Sequence, residues 1–244
     1  MNEKTQMQIS RIVKNIQKLG VKYCAFDFDL TLTSVHLDEN NTQDLSALRS
    51  MALETLEPKQ IDAAITNLNS KNKQEVLEAI GTLKDVLFAH PLDEMKHLIA
   101  ELKNAGLTVS IFSKNSNRAL LDSAASTLNI EYVFQHTDRF SNKIQHIVEQ
   151  ARSIDDSIKP QQCILIDDDE GEGCWLEEAA EKPHFICLVI REEDEDLPEE
   201  ALEQFSLLGL MQSYLEKTLT KENPFRLFSR NEAPFVSAQQ QPEL

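Results

Sequence analysis

Short apolar runs alternate with helical patterns along most of the chain. Five runs rich in β-branched or aromatic residues predict β-strands, at 21–26 (VKYCAF), 107–112 (LTVSIF), 131–134 (EYVF), 163–166 (CILI) and 185–190 (FICLVI). Apolar residues at helical spacing predict helices before and between these runs, over 5–19, 92–105, 117–128, 143–153 and 173–181. The alternation predicts an α/β fold, a doubly wound Rossmann-like parallel sheet with helices on both faces.

One interval departs from this alternation. Residues 34–90 contain no convincing strand and show three helical stretches, separated at Pro58 and at the NSKN stretch. We therefore expect a small helical insertion after the first strand, within a discontinuous α/β core made of 1–33 and 91–219. An acidic run, REEDEDLPEE, leads into an expected helix over 201–219, and 220–244 reads as a polar tail.

Composition narrows the class of protein. The 244 residues carry 41 acidic and 24 basic side chains, a formal net charge of -17. This balance argues against nucleic-acid binding, which needs a basic stripe. The start of the sequence is too polar for a signal peptide, and the longest apolar run is too short for a transmembrane segment. Four cysteines without CxxC or Cys/His ligand spacing predict reduced thiols, and hence a cytoplasmic protein.

Polar residues that could take part in catalysis or metal binding follow three of the predicted strands. Strand one ends in Asp27 and Asp29, strand two in Ser113, and strand four in a run of three aspartates that begins at Asp167. The carboxyl ends of parallel strands meet at one edge of the sheet, where ligands bind in such folds. Lys143 opens the helix before strand four, so its ammonium can reach the same edge.

Carboxylates, a hydroxyl and a lysine, without histidine or cysteine, favour an oxygen-ligand Mg²⁺ site over a soft-metal site. Magnesium also binds phosphate oxygens, and an aspartate held beside it can attack phosphorus as a nucleophile. Since residues i and i+2 of an extended chain point to the same side, Asp29 lies close enough to Asp27 to act as its acid/base partner. A strand that simply ends in a turn is the alternative interpretation of the DFDLT segment.

The residues resemble a known family, the haloacid dehalogenase (HAD) superfamily of phosphatases. Its signature is a strand followed by DxDx[TV], a second strand ending in Thr or Ser, a Lys at a helix start, and a later strand followed by an acidic pair. The chain reads CAFDFDLT, LTVSIFS, NKIQHI and CILIDDDE, in that order. The first motif alone is a weak match, whereas all four in sequence are a strong one.

The resemblance implies catalytic roles for four residues. Asp27 is implied to be the nucleophile and Asp29 the general acid/base, while Ser113 and Lys143 hold the phosphoryl group. Because a carboxylate is present at position 29, the chain looks like a phosphatase rather than a dehalogenase. Lys159 is the alternative lysine, but it lies just before strand four and is expected at the far edge of the sheet.

The resemblance also implies the metal ligands and a cap. Asp27 and Asp167 are implied to bind Mg²⁺ directly, Asp168 through water, and Asp29 through its backbone carbonyl. Asp169 is expected to cap the following helix. Residues 34–90 are implied to form a small cap over the site.

The substrate is less well defined by the sequence. Thr31, Lys114, Asn115 and Arg118 flank the predicted phosphoryl site and are candidate substrate-binding residues, although the last three also suit a solvated helix start. The acidic C-terminal region is similar to that of secreted bacterial effector phosphatases of the superfamily, which implies a phosphotyrosine protein substrate and export into a host cell. The alternatives are a small phosphorylated metabolite as substrate, or a catalytically idle HAD fold used as a protein-interaction module.

A phosphorylatable receiver domain is the alternative fold. It also uses an acidic pair, a phospho-accepting Asp, a hydroxyl and a Lys on a doubly wound sheet. In a receiver the Lys comes last along the chain, whereas here the acidic pair follows Lys143, and a long insertion after the first strand fits poorly. The order of the motifs therefore favours the HAD resemblance.

Overall fold

The fold was analysed in a computed structural model that describes residues 1–37, 42–136, 142–169, 171–172, 182–188 and 206–220. Five strands form one sheet: β1 (Tyr23–Phe26), β2 (Thr108–Ser113), β3 (Tyr132–Gln135), β4 (Cys163–Asp167) and β5 (His184–Cys187). Their order is β3-β2-β1-β4-β5, and every pairing is parallel. The predicted α/β fold with a parallel sheet is confirmed.

Eight α-helices are described around this sheet. They are α1 (Glu3–Leu19), α2 (Thr42–Ala52), α3 (Pro58–Leu68), α4 (Lys73–Leu87), α5 (Leu92–Asn104), α6 (Arg118–Leu128), α7 (Lys143–Ile154) and α8 (Leu207–Leu219). Helices α2 to α4 lie between β1 and α5 and form the predicted helical insertion. The division into domains at 34 and 90 stays a prediction.

Both faces of the sheet are buried. Alternate strand residues point to opposite sides, and those of β1 belong to two separate cores. Cys24 and Phe26 of β1 join a core that also contains apolar side chains of α1, α5, α6, α8 and the insertion. Tyr23 and Ala25 join a second core with Ile144 and other residues of α7. The helices therefore cover the sheet on both sides, as a doubly wound fold requires.

Strands β2, β3 and β4 each end one residue later than the sequence predicts. Ser113 pairs with Gln135 of the neighbouring strand, and Asp167 pairs with Cys187. Continued backbone pairing thus holds two candidate site residues in the sheet itself, where they are less free to move than in a loop.

Other expectations fall partly outside the described residues. The predicted helix over 173–181, the acidic run after 190, Cys174 and the tail after 220 lie there. The three cysteines that are described, Cys24, Cys163 and Cys187, are buried and form no disulfide with one another. Among the described residues, every helix is too short or too polar to cross a lipid bilayer.

Candidate active site

The sheet brings Asp27 and Asp167 to one edge of the molecule. Strand β1 lies between β2 and β4, and the Asp27 backbone N–H extends the pairing by donating to the Ile166 carbonyl at 2.8 Å. Asp167 is the last residue of β4, and both aspartates are buried. The register of two adjacent parallel strands therefore places the two carboxylates side by side.

Lys143 joins these two carboxylates. It is the first residue of α7, and its Nζ lies 2.7 Å from Asp27 Oδ1 and 2.6 Å from Asp167 Oδ2. The contact with Asp167 Oδ2 is poorly angled for a hydrogen bond, so we treat it as an ion pair. Burial lowers the pKa of Lys143, but Asp27 and Asp167 more than reverse this and hold its pKa above the usual range.

A third carboxylate completes the cluster. Oxygen atoms of Asp27, Asp167 and Asp168 lie within 4.8 Å of one another. The Thr31 hydroxyl, which is buried, donates to Asp168 Oδ1 at 3.4 Å. Thr31 thus contacts one of the clustered carboxylates from the turn that follows β1.

The donor set fits a hard divalent cation. When ionised, the three carboxylates and the Lys143 ammonium leave two negative charges, which one divalent ion balances. Burial raises the pKa of Asp27 well above its usual range; the Lys143 ammonium opposes this shift and the Asp167 carboxylate adds to it. The pKa of Asp168 is also raised, mainly by burial and then by the charge of Asp167. A bound cation would oppose both shifts, because it favours the ionised form of the carboxylates. All-oxygen ligation suits Mg²⁺.

Asp29 occupies a different environment from Asp27. Its Oδ1 accepts the Leu37 backbone N–H at 2.8 Å, and the Asn115 side-chain amide donates to Oδ1 at 3.3 Å and to Oδ2 at 3.0 Å. Burial raises the pKa of Asp29, and these two donors oppose the rise. Among the described carboxylates that cluster closely enough to share an ion, Asp29 is not included. The two aspartates of the DxD segment are therefore held by separate sets of partners.

Ser113 contacts Asn115, the residue whose amide donates to Asp29. Ser113 is buried at the end of β2, and its Oγ accepts the Asn115 backbone N–H at 3.0 Å. The Ser113 carbonyl accepts the His136 backbone N–H at 2.7 Å. Ser113 thus stands on the same sheet edge as Asp27, with its hydroxyl fixed against the loop that carries Asn115.

Two candidate substrate ligands are already paired. Lys114 Nζ lies 3.0 Å from Glu172 Oε1. Arg118 pairs with Asp122 one helical turn later at 2.9 Å and donates to the Val133 carbonyl at 3.1 Å. A substrate would have to compete with these contacts for either cation.

Glu172 was not singled out from the sequence. Its carboxylate is fully buried, and while Oε1 accepts from Lys114, Oε2 accepts the Ile144 backbone N–H at 3.0 Å. Glu172 therefore ties the loop after β2 to the first turn of α7, directly beside Lys143. Its position one turn after the aspartate run, in DDDEGE, is the sequence signal that could have identified it.

Lys159 and Asp169 lie outside the described cluster of Asp27, Asp167 and Asp168. Lys159 is exposed at the opposite end of β4 from Asp167, immediately before a short 3₁₀ turn (Pro160–Gln162). The Asp169 side chain accepts the Gly171 backbone N–H at 2.8 Å, while its own N–H donates to Asp167 Oδ1 at 3.0 Å. Of these two lysines, Lys143 alone contacts the aspartate cluster.

Comparison with known proteins gives structural likenesses only. No protein-family model and no curated protein matches the sequence. The chain is similar to a solved dehalogenase (12% identity, TM-score 0.39, 75% of this chain and 89% of that chain). It is also similar to a predicted HAD-like family hydrolase from Porphyromonas gingivalis, with 16% sequence identity and a TM-score of 0.35. That likeness covers 69% of this chain and 91% of the hydrolase. A third likeness is to DsGPDH of Dunaliella salina, with 17% sequence identity and a TM-score of 0.39. It covers 73% of this chain but only 25% of the length of DsGPDH.

Proposed function

We propose that the chain is a Mg²⁺-dependent phosphomonoesterase of the HAD type, a hydrolase that works through an aspartyl-phosphate intermediate. The observation that carries the proposal is the division of the DxD pair. Asp27 shares Lys143 with Asp167 inside a carboxylate cluster, whereas Asp29 is held outside that cluster by Leu37 and Asn115. Two carboxylates in such different surroundings suit a nucleophile and an acid/base.

In the first step Asp27 attacks the phosphorus atom of the substrate. A bond forms between an Asp27 carboxylate oxygen and phosphorus, and the bond from phosphorus to the leaving oxygen breaks. Protonated Asp29 gives its proton to that oxygen, so the product leaves as an alcohol. The raised pKa of Asp29 favours the protonated form that this step needs.

In the second step Asp29 works in the opposite direction. As a carboxylate it takes a proton from water, and the water oxygen attacks phosphorus while the bond to Asp27 breaks. Inorganic phosphate leaves, and Asp27 is restored as a carboxylate. One residue can serve both steps because each step returns it to the protonation state that the other requires.

Ser113 and Lys143 are the proposed holders of the phosphoryl oxygens. Lys143 already lies within 2.7 Å of Asp27, and Ser113 is buried on the adjacent strand. Asp27, Asp167 and Asp168 would hold Mg²⁺, with Asp29 adding its backbone carbonyl. When bound, the ion supplies positive charge against phosphoryl oxygens and the attacking carboxylate.

A phosphorylated protein side chain, with phosphotyrosine first, is the finer proposal for the substrate, and a small phosphorylated metabolite is the alternative. The proposal of a protein substrate rests on the likeness of the acidic C-terminal region to effector phosphatases, and that region lies largely outside the described residues.

Residues 34–90 are the proposed cap. Helices α3 and α4 of this insertion contact α6: the Asn117 amide donates to the Leu68 carbonyl at 3.0 Å and the Ser123 hydroxyl to the Lys73 carbonyl at 3.3 Å.

The proposal is tested by assaying the purified protein with Mg²⁺ against 4-nitrophenyl phosphate, a phosphotyrosine peptide and a panel of small phosphate esters. We expect phosphate release from at least one class of ester, its loss with EDTA, and its loss in Asp27→Asn. Asp62→Asn is the matched control, because Asp62 lies on an exposed face and pairs with Arg49 away from the site.

Two results would contradict the proposal. One is release of phosphate by Asp27→Asn at the wild-type rate. The other is the absence of hydrolysis from every ester in the presence of Mg²⁺, which would favour the idle interaction module.

A further inference from the structure

We infer that Asn115 is a positioning residue for Asp29, rather than a substrate ligand. The inference rests on the proposed function, since it concerns how the acid/base of that reaction is oriented. The inference is based on the hydrogen bonds of the Asn115 side chain, all of which are made to other groups of the protein.

The Asn115 amide nitrogen faces Asp29. Nδ2 lies 3.0 Å from Asp29 Oδ2 and 3.3 Å from Oδ1, with the Leu37 carbonyl as a weaker acceptor at 3.5 Å. An amide nitrogen carries two N–H groups, so these contacts use its whole donor capacity. A substrate oxygen would have to displace Asp29 to reach it.

The rest of Asn115 is fixed as firmly. Its backbone N–H donates to Ser113 Oγ at 3.0 Å, and its carbonyl accepts from Gln135 Nε2 at 2.7 Å. Its side-chain Oδ1 accepts the Asn117 backbone N–H at 2.8 Å. The residue is only 7% exposed, so it has little freedom to turn toward a ligand.

Three hydrogen bonds from two donor groups fix the plane of the Asp29 carboxylate. The Leu37 N–H of the insertion donates to Asp29, and so does the Asn115 amide of the loop after β2. Without the amide, a single backbone N–H remains, and Asp29 can rotate about its side-chain bonds. A general acid that is out of line with the leaving oxygen transfers its proton poorly.

A misplaced general acid has a recognisable kinetic effect. Esters with a poor leaving group, such as alkyl phosphates, need the proton when the bond from phosphorus to oxygen breaks. Esters with a good leaving group, such as 4-nitrophenyl phosphate, need it much less. Because kcat/KM reports the steps up to formation of the phosphoenzyme, it isolates this acid role from the later base role of Asp29.

The test compares kcat/KM for a series of aryl and alkyl phosphates in wild type, Asn115→Ala and the near-isosteric Asn115→Leu. We expect a loss on the order of 10- to 100-fold for the alkyl esters and of less than about 3-fold for 4-nitrophenyl phosphate. Asn117→Ala is the matched control: it removes an amide two residues away that caps α6, and we expect its leaving-group dependence to match wild type.

A double-mutant cycle identifies the residue through which Asn115 acts. In an Asp29→Ala background, Asn115→Ala should have no further effect on kcat/KM for any ester. Equal losses across all leaving groups, or a further loss in the Asp29→Ala background, would overturn the inference while leaving the proposed function standing. A wild-type protein that cleaves none of the esters would instead refute the proposed function, and the inference with it.

Discussion

Replacing Lys143 with methionine should destabilise the protein far more than an ordinary lysine substitution does. The side chain is nearly the same length, but the ammonium that lies 2.7 Å from Asp27 and 2.6 Å from Asp167 is lost. Both carboxylates are buried, so water cannot take its place. Without their shared cation, the two buried carboxylates lie side by side only if one takes up a proton, which the raised pKa of Asp27 favours further once Lys143 is gone.

The magnitude follows from these distances. At an effective dielectric constant of about 20, opposite unit charges at this separation attract by about 6 kcal/mol. Two such contacts offset the cost of burying the ammonium, which is itself several kcal/mol. Removing one partner of a buried ion pair costs about 3–5 kcal/mol, a large part of a total stability of about 5–15 kcal/mol.

The assay is urea unfolding at pH 7 in EDTA, with Lys96→Met as the control. Lys96 lies on the exposed face of α5, and its substitution should change the free energy of unfolding by less than about 0.5 kcal/mol. Because the pKa of Lys143 is raised, its ammonium is charged at pH 7 in the wild type. A loss of less than about 1 kcal/mol in Lys143→Met would refute the buried ion-pair cluster.

Three further substitutions test other parts of the structure, each by urea unfolding. Leu30 has a left-handed backbone (φ 57), so Leu30→Gly should be more stable than Leu30→Ala by about 0.5–1 kcal/mol; the opposite ranking would contradict that conformation. Glu172→Ala should cost about 1–3 kcal/mol, because Lys114 and the Ile144 N–H lose a buried acceptor, and Glu172→Gln should cost less; equal losses would refute this account. Burial lowers the pKa of His90 from 6.5 to about 4, so as the pH falls between these values the unfolded chain binds a proton that the folded chain does not. Wild type should therefore lose up to about 3 kcal/mol more than His90→Gln between pH 7 and pH 4, and parallel losses would contradict the shift.

The framework of the fold could be predicted from sequence because it depends on local patterning. Each strand is a short apolar run, and each described core helix repeats apolar residues at helical spacing. Parallel pairing then aligns strand ends at one edge, so Asp27, Ser113 and Asp167 could be placed together without knowing any side-chain contact. Lys143 followed from its position at a helix start facing that edge.

The hydrogen-bond partners could not be predicted in this way. Asn115 and Asp29 are 86 residues apart, and their contact depends on the path of two loops that hydrophobic spacing does not describe. The same holds for Glu172, which meets Lys114 across 58 residues. Lys114 looks like a free basic side chain in the sequence because its acidic partner comes from a distant turn. Side-chain direction in loops is set by such long-range contacts, so the candidate substrate ligands were the least predictable part of the site.

Asp27 is the proposed nucleophile, the residue that carries the phosphoryl group during turnover. The most direct measurement is to acid-quench the protein during turnover of an ester it hydrolyses, reduce any acyl phosphate with borohydride, and locate the product by peptide mass spectrometry. Reduction converts an aspartyl phosphate to homoserine, so the account predicts homoserine at position 27 and aspartate at position 29. Homoserine at another aspartate, or active turnover with position 27 unmodified, would contradict it.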